Sequence, residues 1–193
     1  MSQPKVAVIG SRGRMGATVC RAVEAASDLE FVGGFDMGDE LGDLGGADVV
    51  VEFSVPSASL ANVVACVSRG VHVVVGTTGW DDAKLDELRQ QLLAAPEARA
   101  GGPVGVLIAP NFALGAILMM SFAAQAARFF ESVEVVELHH PNKVDAPSGT
   151  AARTAELIGA ARDAAGVGPV PDATTTDPDG ARGARVHGIP VHS

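Results

Sequence analysis

The stretch that decides the fold is Val6-Ala7-Val8-Ile9-Gly10-Ser11-Arg12-Gly13-Arg14-Met15-Gly16, near the start of a 193-residue sequence. Its apolar run predicts a buried strand, and the glycines that follow predict a tight turn into a helix. Amides at the start of such a helix lack internal partners and carry partial positive charge, so they can seat a pyrophosphate. Because the spacing is GxxGxxG rather than the usual GxGxxG, a simple glycine-rich turn is the alternative.

One acidic residue supports the nucleotide interpretation. Asp36 follows the second predicted strand and lies 20 residues after Gly16, the place from which an acid binds the adenosine ribose hydroxyl. The alternative is a turn residue ahead of Gly38. An acid here disfavours the extra phosphate of NADP, although Arg12 and Arg14 can offer guanidinium donors to it. We therefore expect NADH or NADPH as the cofactor, with a preference for NADH.

Outward from this turn, short β-branched runs alternate with Ala- and Leu-rich stretches of helical period, the pattern of βαβ units around a parallel sheet. Strands are predicted at Lys5 to Ile9, Phe31 to Phe35, Val49 to Phe53, Val71 to Val75 and Val104 to Ile108. Helices are predicted at Arg14 to Ala26, Ser57 to Arg69 and Asp81 to Leu93.

The order changes after Pro110, where a second domain is predicted. Its elements are a helix at Leu114 to Phe130, a strand at Val133 to Leu138, a helix at Ser148 to Ala165 and a last strand at Arg185 to Val191. The predicted fold is therefore α/β, with a Rossmann-like doubly wound parallel sheet in residues 1–111. An incomplete α+β substrate domain is expected to follow in residues 112–193.

Composition argues against several classes of partner and location. The net charge is −9 and no basic stripe is present to neutralise phosphates, which argues against nucleic-acid binding. The apolar segment from Phe112 to Phe130 is interrupted by polar residues before it reaches membrane-spanning length. The strand-like run that starts at Lys5 leaves no room for a targeting pattern, so Cys20 and Cys66 are expected to be free thiols in the cytoplasm.

Two more predicted strands end in polar loops. Gly76-Thr77-Thr78-Gly79 follows the fourth strand, and Ala109-Pro110-Asn111-Phe112 follows the fifth. Ligands of open α/β sheets bind at the carboxyl ends of strands, so both loops can lie against the nicotinamide half, with Asn111 able to fix its amide. An ordinary turn between strand and helix explains either loop alone at least as well.

Cationic donors concentrate at a strand end in the second domain. The segment is His139-His140-Pro141-Asn142-Lys143-Val144-Asp145-Ala146-Pro147-Ser148-Gly149-Thr150. Neighbouring positive charges lower each other's pKa towards the neutral range, where an acid or base works best. Ser148 is placed to cap the next helix, where an anion can dock, but a capped helix without a ligand is the default alternative. A zinc site is disfavoured because adjacent histidines diverge and no third ligand stands at zinc spacing.

This segment resembles the signature of the 4-hydroxy-tetrahydrodipicolinate reductases, also called dihydrodipicolinate reductases. The segments Gly13 to Gly16, Glu52-Phe53-Ser54, Gly76 to Gly79 and Ala109 to Phe112 also fit that family, in its order. The resemblance implies reduction of a small cyclic dicarboxylate imine with NADH or NADPH, in lysine and diaminopimelate biosynthesis. Some relatives follow the acid with an arginine for the NADP phosphate, and here that place is Met37.

The resemblance also implies roles for single residues. His139 would be the acid/base residue and Lys143 the proton donor. The substrate would be held by His140, Ser148, Gly149 and Thr150. The cofactor would be held by Gly10, Ser11, Arg12, Gly13, Arg14, Met15, Gly16, Asp36, Gly76, Thr77, Thr78, Ala109, Pro110, Asn111 and Phe112.

The family continues past the last residue with more strands, which build a tetramer interface, and a final helix. We therefore expect this sequence to stop before the fold is complete, and the full-length protein to be a homotetramer. Two other interpretations stay open: another two-domain Rossmann oxidoreductase, and a nucleotide-binding module or fragment without catalysis. A hydride-transfer assay with substrate separates the enzyme from the module.

Overall fold

A computed structural model describes residues 3–109, 111–143 and 145–193. The chain divides into two compact units, Met1–Ala109 and Pro110–Ser193. The domain boundary that the sequence suggests, between residues 111 and 112, stays a prediction.

The first unit is a five-stranded parallel sheet with helices. Its strands are β1 (Lys5–Ile9), β2 (Glu30–Phe35), β3 (Val49–Glu52), β4 (His72–Val75) and β5 (Val106–Ile108). Its helices are α1 (Arg14–Ala25), α2 (Pro56–Val67) and α3 (Asp82–Leu93). The strand order is β2-β1-β3-β4-β5 and every neighbouring pair is parallel, which confirms the predicted doubly wound class. Since the order reverses between β1 and β3, a ligand crevice is expected at the ends of these two strands.

The core of this unit follows from the composition of its strands. Central strands of a parallel sheet are covered on both faces, so they read as nearly continuous apolar runs. Ala7 in β1, Val50 in β3 and Val75 in β4 are completely buried, and α2 supplies Val63 and Cys66 to the same cluster. This rigid centre holds the ends of β1 and β3 in place.

Among the element ends that differ from the sequence prediction, two lie where side chains bind the backbone. The strand β5 begins at Val106 rather than Val104, and the Gly105 N–H donates to His72 Nδ1 at 2.9 Å. The first helix of the second unit ends at Ala127 rather than Phe130. The buried Arg162 guanidinium donates to the carbonyls of Ala127 at 3.3 Å and Phe130 at 2.6 Å, which terminates the helix.

The second unit packs two helices with a mixed three-stranded sheet. Its elements are α4 (Leu114–Ala127), β6 (Val135–Val136), α5 (Gly149–Ala164), β7 (Ala184–Val186) and β8 (Ile189–His192). The strand order is β6-β8-β7, with β6 parallel and β7 antiparallel to β8. Ala155 and Ile158 of α5 meet Ile189 and Val191 of β8 in a small apolar core.

The single last strand predicted at Arg185 to Val191 is wrong. The structure has a hairpin of β7 and β8, turned at His187 with φ 49° and Gly188 with φ 76°. Two consecutive residues of positive φ suit the twist of a two-residue hairpin turn, which favours glycine at the second place. The sequence reasoning missed it because His187 does not look like a turn residue.

Neither unit contains a helix that could span a bilayer within the described residues. Cys20 and Cys66 both carry free thiols. Burial raises the pKa of the Cys66 thiol to about 12, so it is an inert core group rather than a nucleophile.

Candidate active site

The glycine turn after β1 is shaped by close backbone approaches. Gly10 has φ 81°, and a Cβ at this position would lie 2.2 Å from the Phe53 carbonyl oxygen at the end of β3. A Cβ at Gly16 would lie 1.9 Å from the Gly10 carbonyl oxygen. The N–H groups of Gly10 and Ser11 donate to Phe35 O at 2.8 and 3.2 Å, which ties the turn to β2. The first and third glycines therefore allow β1 and β3 to converge against α1.

The start of α1 is open to an anion. Gly13 is the N-cap and makes no side-chain cap, and Ala17 is the first residue to bond back to it, through Gly13 O at 2.9 Å. The N–H groups of Arg14, Met15 and Gly16 therefore have no intrahelical acceptor. They add to the positive end of the helix dipole, the arrangement that binds a pyrophosphate. The side chains of Arg14 and Met15 are exposed.

Two carboxylates border this turn, and the sequence analysis identified one of them. Asp36 accepts from the N–H of Arg12 at 2.8 Å and of Met37 at 3.0 Å, and these bonds lower the pKa of its carboxyl group. Asp39, which the sequence analysis missed, accepts from the Asp36 N–H at 2.8 Å and pairs with the Arg12 guanidinium at 3.2 Å. Arg12 was proposed as a donor to a 2′-phosphate, but its guanidinium is engaged by Asp39.

A cavity of about 450 Å³ joins these elements within the first unit. Gly10, Gly13 and Asp36 of the predicted set line it, together with Asp39 and Phe53. Its volume lies in the range of ligand pockets. The backbone amides, the acid and the cavity together fit an adenine dinucleotide.

A buried carboxylate supports the floor of this cavity. Glu52 ends β3 with 0% exposure, and its Oε1 accepts from the Ser54 N–H at 3.1 Å and from the Ser54 hydroxyl. Its Oε2 accepts from the Ser59 hydroxyl in α2 at 2.8 Å, and Asn62 Nδ2 donates to Ser54 Oγ at 3.1 Å. The sequence analysis noted Glu52 without a role. The available signal was an acid at the end of an otherwise apolar strand.

The loop after β4 lies beside the same strand end. The Gly76 N–H donates to Glu52 O at 2.9 Å, and a Cβ at Gly76 would lie 2.1 Å from the Phe53 ring. Thr77 is 7% exposed, and among the described residues its Oγ1 has no hydrogen-bond partner. Such a buried hydroxyl fits contact with a bound ligand. Thr78 is exposed, and the Ala109 N–H continues the β5 ladder to Val75 O at 3.0 Å.

In the second unit, Asn111 and Thr150 are brought together. Asn111 Nδ2 donates to Thr150 Oγ1 at 3.1 Å, and Asn111 Oδ1 accepts from the Ala113 N–H at 2.8 Å. The side chain of Asn111 is thus partly occupied by its own loop. Phe112 is 50% exposed, and the predicted Pro110 lies outside the described residues.

In the loop at residues 139–143, a histidine and a lysine each pair with a carboxylate two residues away. His139 Nε2 lies 2.7 Å from Glu137 Oε2, and Lys143 Nζ forms an ion pair with Asp145. The sequence analysis considered repulsion between the cations alone and missed both acids. Since side chains at i and i+2 of an extended strand share a face, the spacing of Glu137 and His139 was the available signal. His140 is exposed and its Nδ1 accepts from the Asn142 N–H at 3.2 Å.

The start of α5 is capped as predicted. Ser148 is buried and its Oγ accepts from the Ala151 N–H at 3.1 Å. Asp145 lies near this helix start: the Lys143 ammonium is the main group that lowers the pKa of the Asp145 carboxyl group, and the Gly149 N–H contributes to the same shift. The helix start is therefore already used by groups of its own loop, and docking of a ligand anion there stays a prediction.

No group of three or more His, Cys, Asp or Glu side chains among residues 3–109, 111–143 and 145–193 is arranged to hold a metal ion. The fold and the nucleotide crevice, with a separate unit that carries paired acids and bases, define an NAD(P)H-dependent oxidoreductase. Two family models match: "Dihydrodipicolinate reductase, N-terminus" over residues 4–46 and 36–112, and "Dihydrodipicolinate reductase, C-terminus" over residues 115–193. The chain belongs to the dihydrodipicolinate reductase family, which confirms the resemblance.

Individual relatives agree with this assignment. The 4-hydroxy-tetrahydrodipicolinate reductase of Streptomyces griseus is 58% identical over 195 residues, which cover 100% of this chain and 76% of that protein. The enzyme of the same name from Nocardia farcinica is 58% identical, with 98% and 75% covered. A solved structure of dipicolinate-bound dihydrodipicolinate reductase from Paenisporosarcina sp. TG-14 matches with a TM-score of 0.71 and 32% identity. That match covers 100% of this chain and 78% of the other.

Proposed function

We propose that this chain reduces 4-hydroxy-tetrahydrodipicolinate to tetrahydrodipicolinate, a step of lysine and diaminopimelate biosynthesis, with its own loop at residues 139–150 as the chemical site. The observation that carries the proposal is the pairing of His139 with Glu137 and of Lys143 with Asp145 beside the capped start of α5. This loop offers proton donors next to hydrogen-bond donors for an anion. The dipicolinate named for the Paenisporosarcina protein is a ring with two carboxylates, the class of ligand that we propose for this loop.

The residues of the second unit have two proposed roles, which are proton supply and substrate binding. Hydride addition to the imine ring leaves an electron-rich centre, and His139 and Lys143 are placed to supply its proton. His140, Ser148, Gly149 and Thr150 hold the substrate carboxylates, helped by the positive end of α5. A substrate carboxylate at this place pairs with the Lys143 ammonium in competition with Asp145. The loop is then held through Ser148, whose N–H donates to Glu137 at 2.7 Å.

The residues of the first unit bind the cofactor, which supplies the hydride when bound. The amides of Arg14, Met15 and Gly16 receive the pyrophosphate, Asp36 receives the ribose hydroxyls, and the loop from Gly76 to Thr78 lies against the nicotinamide half. We propose that NADH binds at least as tightly as NADPH. The support is that the ribose end carries both Asp36 and Asp39, and that Arg12 is already paired. Assembly as a homotetramer, which the resemblance implies, stays a prediction.

The experiment that tests the function measures turnover and NADH affinity for His139→Ala and Lys143→Ala. Removal of a general acid costs about 10² to 10⁴ fold in rate, whereas neither residue belongs to the proposed nucleotide contacts, so turnover falls and the NADH dissociation constant is unchanged. Arg153→Ala is the matched control, because it removes an exposed cation of α5 that pairs with Glu156 at 3.0 Å. Unchanged turnover in both test variants rejects the assignment.

A further inference from the structure

The Glu137 carboxylate collects donors from three separate segments of the second unit. His139 Nε2 lies 2.7 Å from Oε2, while the Ser148 N–H at 2.7 Å and the Ser193 hydroxyl at 2.8 Å both donate to Oε1. The Glu137 side chain is 10% exposed and that of His139 is 36% exposed. A largely buried carboxylate therefore stands directly behind a histidine whose ring reaches solvent.

The charge of Glu137 decides what it can do to this ring. Burial alone would raise its pKa, but the hydrogen bonds from Ser148, His139 and Ser193 outweigh burial and bring the pKa to about 2. The group is thus an ionised carboxylate near neutral pH, and an ionised carboxylate accepts hydrogen bonds and cannot donate them. His139 Nε2 must therefore carry a hydrogen, whichever charge state the ring has.

We infer that Glu137 is a positioning residue that fixes the hydrogen of His139 on Nε2 and so reserves Nδ1 for the proton exchanged with substrate. This inference rests on the proposed function of His139. In the transfer step the Nδ1–H bond of the imidazolium breaks and the proton joins the electron-rich centre left by hydride addition. The ring becomes the neutral Nε2–H form, still bonded to Glu137. The carboxylate also stabilises the imidazolium before the step, as a buried acid does behind a catalytic histidine in other enzymes.

The second donor to Glu137 links the proton-transfer group to the substrate-binding helix. Glu137 Oε1 accepts from the Ser148 N–H, and the Oγ of the same serine caps α5. One carboxylate therefore sets the histidine and the helix start relative to each other. Placement within fractions of an ångström is what proton transfer requires, so this double attachment has a direct use in the proposed reaction.

Glu137→Gln separates the two attachments. The amide oxygen can replace Oε1 and keep both the Ser148 and Ser193 bonds, whereas the amide NH₂ replaces Oε2 and donates to His139. The ring then accepts at Nε2 and carries its hydrogen on Nδ1, without a carboxylate to stabilise the charged form. We expect kcat to fall at least about 30-fold, with KM within about 3-fold and NADH affinity unchanged.

Glu137→Asp, which keeps the charge on a shorter side chain, retains more turnover than Glu137→Gln. A role in packing alone predicts the reverse order, because glutamine has the same shape as glutamate.

The matched control is Glu134→Gln, which alters a second carboxylate–histidine pair of the same unit. Glu134 Oε2 lies 3.2 Å from His192 Nε2, and we expect kcat within about 2-fold because that ring has no part in the proposed site. Nitrogen-15 NMR of labelled histidine reads the tautomer directly. At a pH where the ring is neutral, we expect the Nε2–H tautomer for His139 in the wild type and the Nδ1–H tautomer in Glu137→Gln.

The outcomes separate this inference from the proposed function. Loss of turnover in His139→Ala together with normal kcat in Glu137→Gln overturns the inference and leaves the function intact. A wild-type chain without turnover of the substrate rejects the function, and the tautomer of His139 then decides the inference alone. A neutral Nδ1–H tautomer of His139 in the wild type overturns it, even if the variant fails to fold.

Discussion

The two units build their candidate ligand surfaces from different parts of the chain. In the first unit the surface is mainly backbone: Gly10 and Gly16 let strand and helix converge, and the first N–H groups of α1 have no intrahelical acceptor. In the second unit the surface consists of side chains, and His139 and Lys143 each pair with an acid two residues away. A substitution in the first surface therefore acts through sterics, whereas one in the second acts through charge and proton position.

The largest effect that this contrast predicts is in the glycine turn. A Cβ introduced by Gly16→Ala would lie 1.9 Å from Gly10 O, which is backbone and cannot rotate away. The turn must open, so we expect NADH to bind at least about 100-fold more weakly and the unfolding free energy to fall by roughly 2 to 3 kcal/mol. Calorimetric titration and thermal melting measure the two quantities.

The control for the glycine turn is Gly105→Ala, just before β5 in the same unit. Its new Cβ would meet His72 Nδ1 at 3.5 Å, an ordinary contact, and we expect NADH affinity within about 2-fold of the wild type. If Gly16→Ala bound NADH within about 5-fold of the wild type, backbone proximity would not be what forms the first surface.

A smaller effect on NADH affinity is expected at Glu52. This buried carboxylate of the first unit accepts from side chains, as Glu137 does in the second unit. In Glu52→Gln the amide oxygen can replace Oε1 and still accept from Ser54, whereas the NH₂ group replaces Oε2, so that the Ser59 hydroxyl loses its acceptor. We expect the unfolding free energy to fall by about 1 to 3 kcal/mol and NADH to bind several-fold more weakly, because Ser54 and the Phe53 backbone form the cavity floor. Denaturant titration of the apo-protein and calorimetry with NADH measure this.

The exposed Glu87→Gln on α3 is the control for Glu52, with an expected change within about 0.5 kcal/mol. An equal, small change in both variants would mean that the buried network contributes nothing to the cavity. The ligand surface of the first unit would then depend on the backbone alone, and only the second unit would depend on side chains.

The same contrast explains what the sequence could predict. The parallel sheet and the start of α1 at Arg14 were predicted correctly, because hydrophobic period and glycine spacing are local signals. The supporting acids Asp39, Glu52 and Glu137 were not assigned roles, because a buried acid is recognised by partners that come from distant segments. The hairpin at His187 was missed for a related reason, since its positive φ is imposed by strand pairing.

The smallest effect concerns cofactor preference at the proposed ribose end of the first surface, where backbone and side-chain contacts occur together. The Arg12 amide binds Asp36, while the Arg12 guanidinium pairs with Asp39 at 3.2 Å. If this pair is what withholds Arg12 from a 2′-phosphate, the wild type binds NADH at least as tightly as NADPH. NADPH binding a hundredfold tighter, a difference of about 2.7 kcal/mol, would contradict that preference.

Asp39→Asn isolates the contribution of the charge. The asparagine oxygen can still accept from the Asp36 N–H, so the turn is preserved, but the ion pair with the Arg12 guanidinium is lost and one negative charge near the 2′ position is removed. Arg12 is 72% exposed and Asp39 36%, and exposed pairs contribute up to about 1 kcal/mol, so we expect NADPH affinity to rise about 2- to 5-fold with NADH affinity unchanged. The gain should shrink at high salt because exposed charges are screened.

Asp86→Asn is the control, since it breaks an exposed pair with Arg89 in α3 and should leave both affinities unaltered. A loss of NADH affinity in Asp39→Asn would show instead that Asp39 acts as a ligand of the ribose, and an unchanged NADPH affinity would show that the Arg12 guanidinium cannot reach the phosphate.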